Sequence, residues 1–303
     1  MDKQQTVYNT TVPESRWRLY WALFRPRQWT KNGFVLAGVV FSGLFTNLQS
    51  MLTAITAFFI FCLVSSAGYI YNDILDKEED ALHPIKCHRP LAAGQVSVGE
   101  AQKLVVILAV AAIGAGFSLD LSFGFIVLLY FLLTVAYSLW LKKLVLIDLL
   151  ALAAGFVLRA AGGAVAVGVM ISPWLLICTP LLSLFLGLGK RRHELLFLED
   201  GASAHRITLD DYSPELLNQL LSSVTAATLV SYSIYTFTSG HGLVMMLTIP
   251  FVLFGLFRYL YLIYCRDLGG SPEEVLLTDR QLLGTVILWG VAVLLILGTK
   301  QRF

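Results

Sequence analysis

The sequence predicts an all-α, polytopic membrane protein with nine transmembrane helices. The first observation is composition: 57% of the 303 residues are hydrophobic and only 14% are charged. A soluble domain has about 25% charged residues. The second is the repetition of apolar runs that approach the roughly 20 residues needed to cross the hydrocarbon core. The third is that Lys and Arg concentrate in alternate connections between these runs.

The nine runs are separated by short connections, except after the second and the sixth. The predicted spans are 33–49, 51–71, 101–118, 121–140, 145–167, 172–189, 215–237, 242–264 and 281–299. The first and sixth are short, and we expect them to tilt or break early. The long loops 72–100 and 190–214 lie four helices apart. Residues 1–303 are therefore expected to form one transmembrane domain, with two four-helix halves, a ninth helix and an N-terminal arm, 1–31.

The distribution of basic residues predicts the orientation. Eighteen of the 22 Lys and Arg residues lie in the arm or in connections on one side of the predicted bundle. The positive-inside rule makes that side cytoplasmic. We therefore expect a multi-pass protein of the cell (inner) membrane whose arm and two long loops face the cytoplasm. The net charge of +2 gives no argument for nucleic acid as a partner.

Three aspartates lie where the second span meets the first long loop. Asp73, Asp76 and Asp80 follow one another at i, i+3 and i+7, which places them on one face of a continuing helix, and Asn72 and Asp76 pair at i, i+4. Carboxylates this close repel one another unless a cation lies between them, and such oxygen ligands suit Mg²⁺ with substrate phosphates. Taken alone, the stretch is also typical of a solvated acidic helix end.

Basic residues follow the acids on the same loop. Lys86 and Arg89 supply phosphate-binding cations, and Pro84, Pro90 and Gly94 favour a fixed loop. Acids for a metal followed by bases for phosphate form a constellation suited to a diphosphate.

The order of these residues resembles that of the UbiA superfamily of intramembrane prenyltransferases. The resemblance rests on Asn72-Asp73-x-x-Asp76-x-x-x-Asp80 within nine spans, followed by His83-Pro84-x-Lys86 and by Arg89-Pro90-x-Ala92-x-Gly94. It covers nearly the whole chain. It implies a transferase in which Asn72 and the three aspartates hold Mg²⁺ and a diphosphate, with Asp73 and Asp76 catalytic.

The loop after the sixth span departs from the ordinary family pattern. It has Gly189-Lys190-Arg191-Arg192-His193-Glu194 where a second Asp-rich motif is expected, and Asp210-Asp211 is a poor substitute. With Arg25-Pro26-Arg27-Gln28-Trp29-Thr30-Lys31-Asn32 and Tyr137-Ser138-x-x-Leu141-Lys142, this resembles the decaprenyl-phosphate phosphoribosyltransferase branch. The resemblance implies transfer of 5-phosphoribose from phosphoribosyl diphosphate to a polyprenyl phosphate. The product would feed synthesis of a decaprenyl-linked arabinose donor for the cell envelope.

A prenyl diphosphate and phosphoribosyl diphosphate both lose Mg-diphosphate as the leaving group. Phosphoribosyl diphosphate also carries a second anionic end, its 5-phosphate. Additional cations are therefore expected, although cytoplasmic Lys and Arg also anchor topology without any other role. We expect Lys190 to be catalytic. The further candidates for substrate binding, besides Asn72, Lys86 and Arg89, are Lys31, Tyr137, Lys142, Arg159, Arg191 and Glu194.

Arg159 lies inside the fifth predicted span, about 16 Å from its cytoplasmic end at 1.5 Å per residue. A charge at this depth is costly and indicates a function, either by pairing with an acid or by holding a phosphate.

Two other functions stay open at this point. One is prenyl transfer to an aromatic acceptor, and the other is transport of a phosphorylated solute. A transporter more typically has Gly- or Pro-interrupted spans at matching positions of its halves. A homo-oligomeric assembly is compatible with the sequence.

Overall fold

The computed structural model describes residues 15–199, 211–239 and 243–300, and these residues form helices and connections without any strand. Residues 1–14 of the predicted arm and 200–210 of the second long loop lie outside this part. The α-helices are α1 Arg16–Phe24, α2 Ala37–Phe41, α3 Leu48–Leu75, α4 Lys77–Leu82, α5 Val98–Leu119, α6 Leu121–Leu139, α7 Ile147–Ala166, α8 Pro173–Glu199, α9 Pro214–Thr238, α10 Ile249–Cys265, α11 Pro272–Thr278 and α12 Arg280–Lys300.

Within the described residues, eight helical segments are long and apolar enough to cross a membrane, so the predicted count of nine is not confirmed. The difference is the first predicted span, 33–49. It consists of a 3₁₀ helix, Pro26–Leu36, the short α2 and a second 3₁₀ turn. Its backbone approaches α7 closely, since Gly163 lies directly against the Val35 carbonyl group. The segment is therefore not one continuous α-helix.

The other predicted spans match helices of the structure, and three differ at their ends. Helix α3 begins at Leu48 and continues to Leu75, so Asn72 and Asp73 lie on a helix rather than in the predicted loop 72–100. Helix α8 continues to Glu199, whereas the predicted span ends at residue 189, so Lys190 and Glu194 lie on a helix rather than in a loop. The eighth predicted span begins as a 3₁₀ helix, Leu243–Thr248, before α10.

Side-chain caps fix several helix ends. Ser97 and Glu100 form a capping box at α5, and the side chains of Asn47, Asp120 and Ser213 accept hydrogen bonds at the starts of α3, α6 and α9. Helix α3 is central: it packs against α5, α6, α7 and the 3₁₀ helix. Large apolar side chains such as Val110, Leu129 and Leu295 are exposed on the outside of the bundle. Such a surface suits lipid rather than water, and the chain is a multi-pass membrane protein.

Candidate active site

The three predicted aspartates meet where α3 gives way to α4. Asp73 lies in the last turn of α3, Asp76 is the residue between the two helices, and Asp80 lies in α4. The Asp73 and Asp80 side chains are almost fully buried, and Asp76 is partly exposed. Asn72 Nδ2 donates to Asp76 Oδ2 at 2.8 Å, which confirms the predicted i, i+4 pair.

Four cations surround these carboxylates. Arg89 donates to Asp73 Oδ1 at 3.1 Å and also to Asp80, and Arg25 donates to Asp73. Lys142, on the turn after α6, donates to Asp76, and Lys86 Nζ lies 3.8 Å from Asp80 Oδ1. We call these seven residues the acidic cluster: Arg25, Asp73, Asp76, Asp80, Lys86, Arg89 and Lys142. The cluster has four cations and three acids, and each acid pairs with at least one cation. If a metal ion neutralised part of the carboxylate charge, these cations would be able to contact an anionic group.

Arg25 is a member of this cluster that the sequence did not single out as a site residue. It ends α1 with φ 51° and ψ 59°, in the left-handed region. A non-glycine residue there is strained by on the order of 1 kcal/mol, and such strain is common at functional sites. Its guanidinium lies 5.6 Å from the centre of the Tyr69 ring. Its signal in the sequence was its place in the motif Arg25-Pro26-Arg27-Gln28-Trp29-Thr30-Lys31-Asn32, from which only Lys31 was selected as a candidate.

The donor set of the acidic cluster suits Mg²⁺. Three carboxylates and the Asn72 amide provide hard oxygen ligands, and Mg²⁺ commonly uses only one or two protein carboxylates with substrate phosphates. In the part of the chain that the structure describes, the three acids do not converge on one point. Each of them is paired with a basic side chain instead.

A second centre lies on the extension of α8. Asp148, fully buried at the start of α7, accepts from Arg191 Nε at 3.0 Å and from Nη2 at 2.5 Å. The Tyr212 hydroxyl donates to Asp148 Oδ1 at 3.2 Å and accepts from the Leu146 N–H at 2.8 Å. Leu146 itself has φ 66°, a strained value for leucine. Arg191, predicted to bind substrate, is therefore occupied by a buried carboxylate and is almost inaccessible.

Lys190, Glu194 and Tyr137 lie beside this pair. Lys190 Nζ is 3.8 Å from Glu194 Oε1 and is 45% exposed, whereas Arg191 Nη1 donates to Glu194 Oε2 at 2.6 Å. Tyr137 is half-buried at the end of α6, within electrostatic range of Arg191. The first loop approaches the same point, because His83 lies within electrostatic range of Glu194. Residues from both predicted long loops therefore share one region.

Lys31 belongs to a third group. Its ammonium donates to Gln28 Oε1 at 2.5 Å, and Gln28 Nε2 donates to Glu273 Oε1 at 2.6 Å. Burial lowers the pKa of Lys31, although Glu273, 3.8 Å away, raises it. Burial raises the pKa of Glu273, but Lys31, the backbone N–H of Glu273 itself and the Gln28 hydrogen bond outweigh that effect, so this pKa lies below its ordinary value. Glu273 was not predicted as a site residue, because Ser271-Pro272 before it indicates only the start of a helix.

Arg159 forms no ion pair with a carboxylate among the described residues. Its Nε donates to Asn32 Oδ1 at 2.7 Å, Nη2 to the Tyr130 hydroxyl at 2.5 Å, and Nη1 to the Gly155 carbonyl at 3.1 Å. Asn32 in turn donates to Ser65 Oγ at 3.2 Å. The network joins the 3₁₀ helix to α3, α6 and α7.

The chain is similar to known proteins over most of its length. The model of the UbiA prenyltransferase family matches residues 33–275. Decaprenyl-phosphate phosphoribosyltransferase of Corynebacterium glutamicum is 33% identical over 275 residues, which cover 88% of this chain and 82% of the relative. The protein of the same name from Mycolicibacterium smegmatis is 32% identical over 281 residues, with 88% of each chain covered.

The fold is shared with solved structures. A UbiA homolog from Archaeoglobus fulgidus, bound to GPP and Mg²⁺, superimposes with a TM-score of 0.69 at 20% identity, over 91% of this chain and 99% of that one. Together, the family match, the relatives and the helical architecture confirm the resemblance predicted from the aspartate motif. The chain therefore belongs to the UbiA prenyltransferase family.

Proposed function

We propose that this protein transfers 5-phosphoribose from phosphoribosyl diphosphate to a polyprenyl phosphate and releases diphosphate, with Mg²⁺ as its metal, at the cytoplasmic side of the membrane. The observation that carries the proposal is the α8 centre. Where ordinary members of the superfamily are expected to have a second set of acids, this chain has exposed Lys190 and buried Arg191 beside Glu194. The names of its relatives support the same reaction.

In this proposal the acidic cluster receives the diphosphate. Asp73, Asp76 and Asp80, with Asn72, would hold Mg²⁺, which would stabilise negative charge on the departing diphosphate. Arg89, Lys86 and Lys142 would then contact phosphate oxygens instead of carboxylates. Stabilising the leaving group in this way commonly supplies the largest part of catalysis.

The α8 centre would receive the other end of the donor. Lys190 would contact the 5-phosphate, while the buried Asp148–Arg191 pair would hold this segment of α8 and Glu194 in place. The attacking lipid phosphate is already ionised at neutral pH, so the reaction needs no strong general base. Product formed here would serve as a precursor of a decaprenyl-linked arabinose donor for the cell envelope.

A choice of donors tests the proposal. Purified protein in detergent is given either phosphoribosyl diphosphate labelled in the ribose with a polyprenyl phosphate, or a prenyl diphosphate with a labelled aromatic acid, which stays in the aqueous phase at neutral pH unless it is prenylated. We expect lipid-soluble label from the first pair alone. Label from the second pair alone would assign the chain to prenyl transfer, and uptake of phosphoribosyl diphosphate by sealed vesicles without product would assign it to transport.

A further inference from the structure

Helix α11 brings an acid into the region between the two centres. Glu273 Oε1 accepts from Gln28 and lies beside Lys31, and the carboxylate is also within electrostatic range of Lys190. An anion at this position is unexpected in a site for a phosphate-rich donor, because it repels every phosphate group. Gln28 and Lys31 partner one of its oxygens, and the other oxygen is available to a further hydrogen-bond donor.

Two buried oxygen atoms here have unused hydrogen-bonding capacity. In the structure of residues 15–199, 211–239 and 243–300, no hydrogen bond reaches Glu273 Oε2, and none involves the Tyr259 hydroxyl. The Tyr259 ring lies on α10, packs against Phe185 and borders Gly189, the residue before Lys190. Its hydroxyl is within electrostatic range of Glu273. Buried polar atoms are nearly always hydrogen-bonded, and those that are not commonly await a ligand or a water.

The candidate substrates differ in what they can donate. A prenyl diphosphate and an ionised polyprenyl phosphate carry only acceptors on their polar ends. A ribosyl donor carries two vicinal hydroxyl groups, which are the only strong donors in the proposed reaction. A carboxylate that accepts from a hydroxyl forms a short, charge-assisted hydrogen bond that is about twice as strong as a neutral one.

We propose that Glu273, assisted by Tyr259, is the specificity-determining residue that accepts hydrogen bonds from the ribose hydroxyl groups of the donor. This inference rests on the proposed phosphoribosyl transfer and deepens it. Gln28 and Lys31 fix one carboxylate oxygen, and the other oxygen faces the sugar. The arrangement distinguishes a sugar diphosphate from a prenyl diphosphate, although the two have the same leaving group.

Deoxy donors test this assignment. For wild type, E273Q and Y259F, kcat/KM is measured with phosphoribosyl diphosphate and with its 2-deoxy and 3-deoxy analogues. Discrimination is the ratio of kcat/KM for the natural donor to that for an analogue. Removing the 2-hydroxyl also changes the reactivity of the sugar, but that effect cancels when discrimination is compared between variant and wild type. The neighbouring exposed acid supplies the matched control, E274Q.

We expect E273Q to lower discrimination against at least one analogue by about 10-fold, the size of a lost charge-assisted hydrogen bond. Y259F should lower it less, and E274Q should leave it unchanged. Y259F removes only a hydroxyl group without a partner in the described structure, so this variant is expected to fold. If E273Q does not fold, the discrimination measured for Y259F tests the inference. Ribosyl transfer by wild type with unchanged discrimination in E273Q and Y259F would overturn this inference alone. Absence of ribosyl transfer by wild type would overturn the proposed function and this inference with it.

Discussion

Arg89 donates hydrogen bonds to both Asp73 and Asp80, so one guanidinium joins two carboxylates that lie seven positions apart. Arg25 and Lys142 complete the neutralisation of the cluster from two other segments of the chain. Removing these partners from a buried acid would strongly destabilise the folded protein. In the proposed reaction, a divalent metal and a diphosphate take over these interactions together.

The first prediction concerns the metal. Asp76→Asn should reduce turnover at least about 100-fold, since it removes a proposed metal ligand while leaving the partly exposed side chain nearly the same size. EDTA should abolish the activity of wild type, and Mg²⁺ should restore it. The control is Glu79→Gln, an exposed acid on α4. Full wild-type activity in metal-free buffer would refute a role for Mg²⁺.

The second prediction concerns the α8 centre. Arg191→Leu should destabilise the folded protein by about 3–5 kcal/mol, because it leaves Asp148 buried without its charged partner. Lys190→Ala should leave the melting temperature nearly unchanged, since Lys190 is 45% exposed. Thermal unfolding in detergent measures both. Equal melting temperatures for the two variants would contradict a positioning role for Arg191.

The third prediction concerns Lys190 in substrate binding. Lys190→Ala should raise the KM for phosphoribosyl diphosphate about 10-fold or more, as expected for a lost charged contact of about 1.5–3 kcal/mol. The KM for polyprenyl phosphate should change less. Lys143→Ala, at an exposed lysine of the turn after α6, is the control. An equal rise in both KM values would place Lys190 elsewhere than at the 5-phosphate.

The fourth prediction concerns Arg159. Arg159→Leu should cost about 3 kcal/mol of stability, because it leaves Asn32 and Tyr130 without their buried hydrogen-bond partner. Arg258→Leu should be milder, since Arg258 is partly exposed and pairs with Asp279 at 2.7 Å. Thermal unfolding and activity are measured for both. A fully stable, fully active Arg159→Leu protein would remove any role for this buried charge.

The fifth prediction concerns orientation. In a background without Cys62, Cys87, Cys178 and Cys265, a cysteine at Ile85 should be protected from an impermeant maleimide in intact cells, whereas one at Met170 should react. Both positions are well exposed, at 71% and 96%. Labelling at position 85 and not at position 170 would show that the protein has the opposite orientation to the one proposed.

Features that depend on local sequence were predicted well. Apolar runs found the long helices, and spacing alone identified the Asn72–Asp76 hydrogen bond, because both depend on residues within a few positions. The first span was predicted as a short segment that tilts or breaks early, but its 3₁₀ geometry was not predicted. Its backbone contact between Val35 and Gly163 joins positions more than a hundred residues apart, which local composition does not indicate.

Partners across the fold could not be predicted from spacing. Arg25 reaches Asp73, and Glu273 reaches Gln28, over 48 and 245 positions. Arg191 carried the same signal as Lys190 in the sequence, yet one is buried against Asp148 and the other is exposed. Neighbouring positions on a helix point in different directions, and only the packing of α7 against α8 decides which charge meets Asp148.

The most direct measurement follows two labels of the donor through one turnover. Phosphoribosyl diphosphate carrying ³²P on the 5-phosphate or, separately, on the terminal diphosphate phosphorus is incubated with protein, Mg²⁺ and polyprenyl phosphate. The account predicts that the 5-phosphate label enters the lipid fraction and that an equal amount of the terminal label appears as free diphosphate. Terminal label in the lipid, or absence of the 5-phosphate label from it, would contradict transfer of 5-phosphoribose.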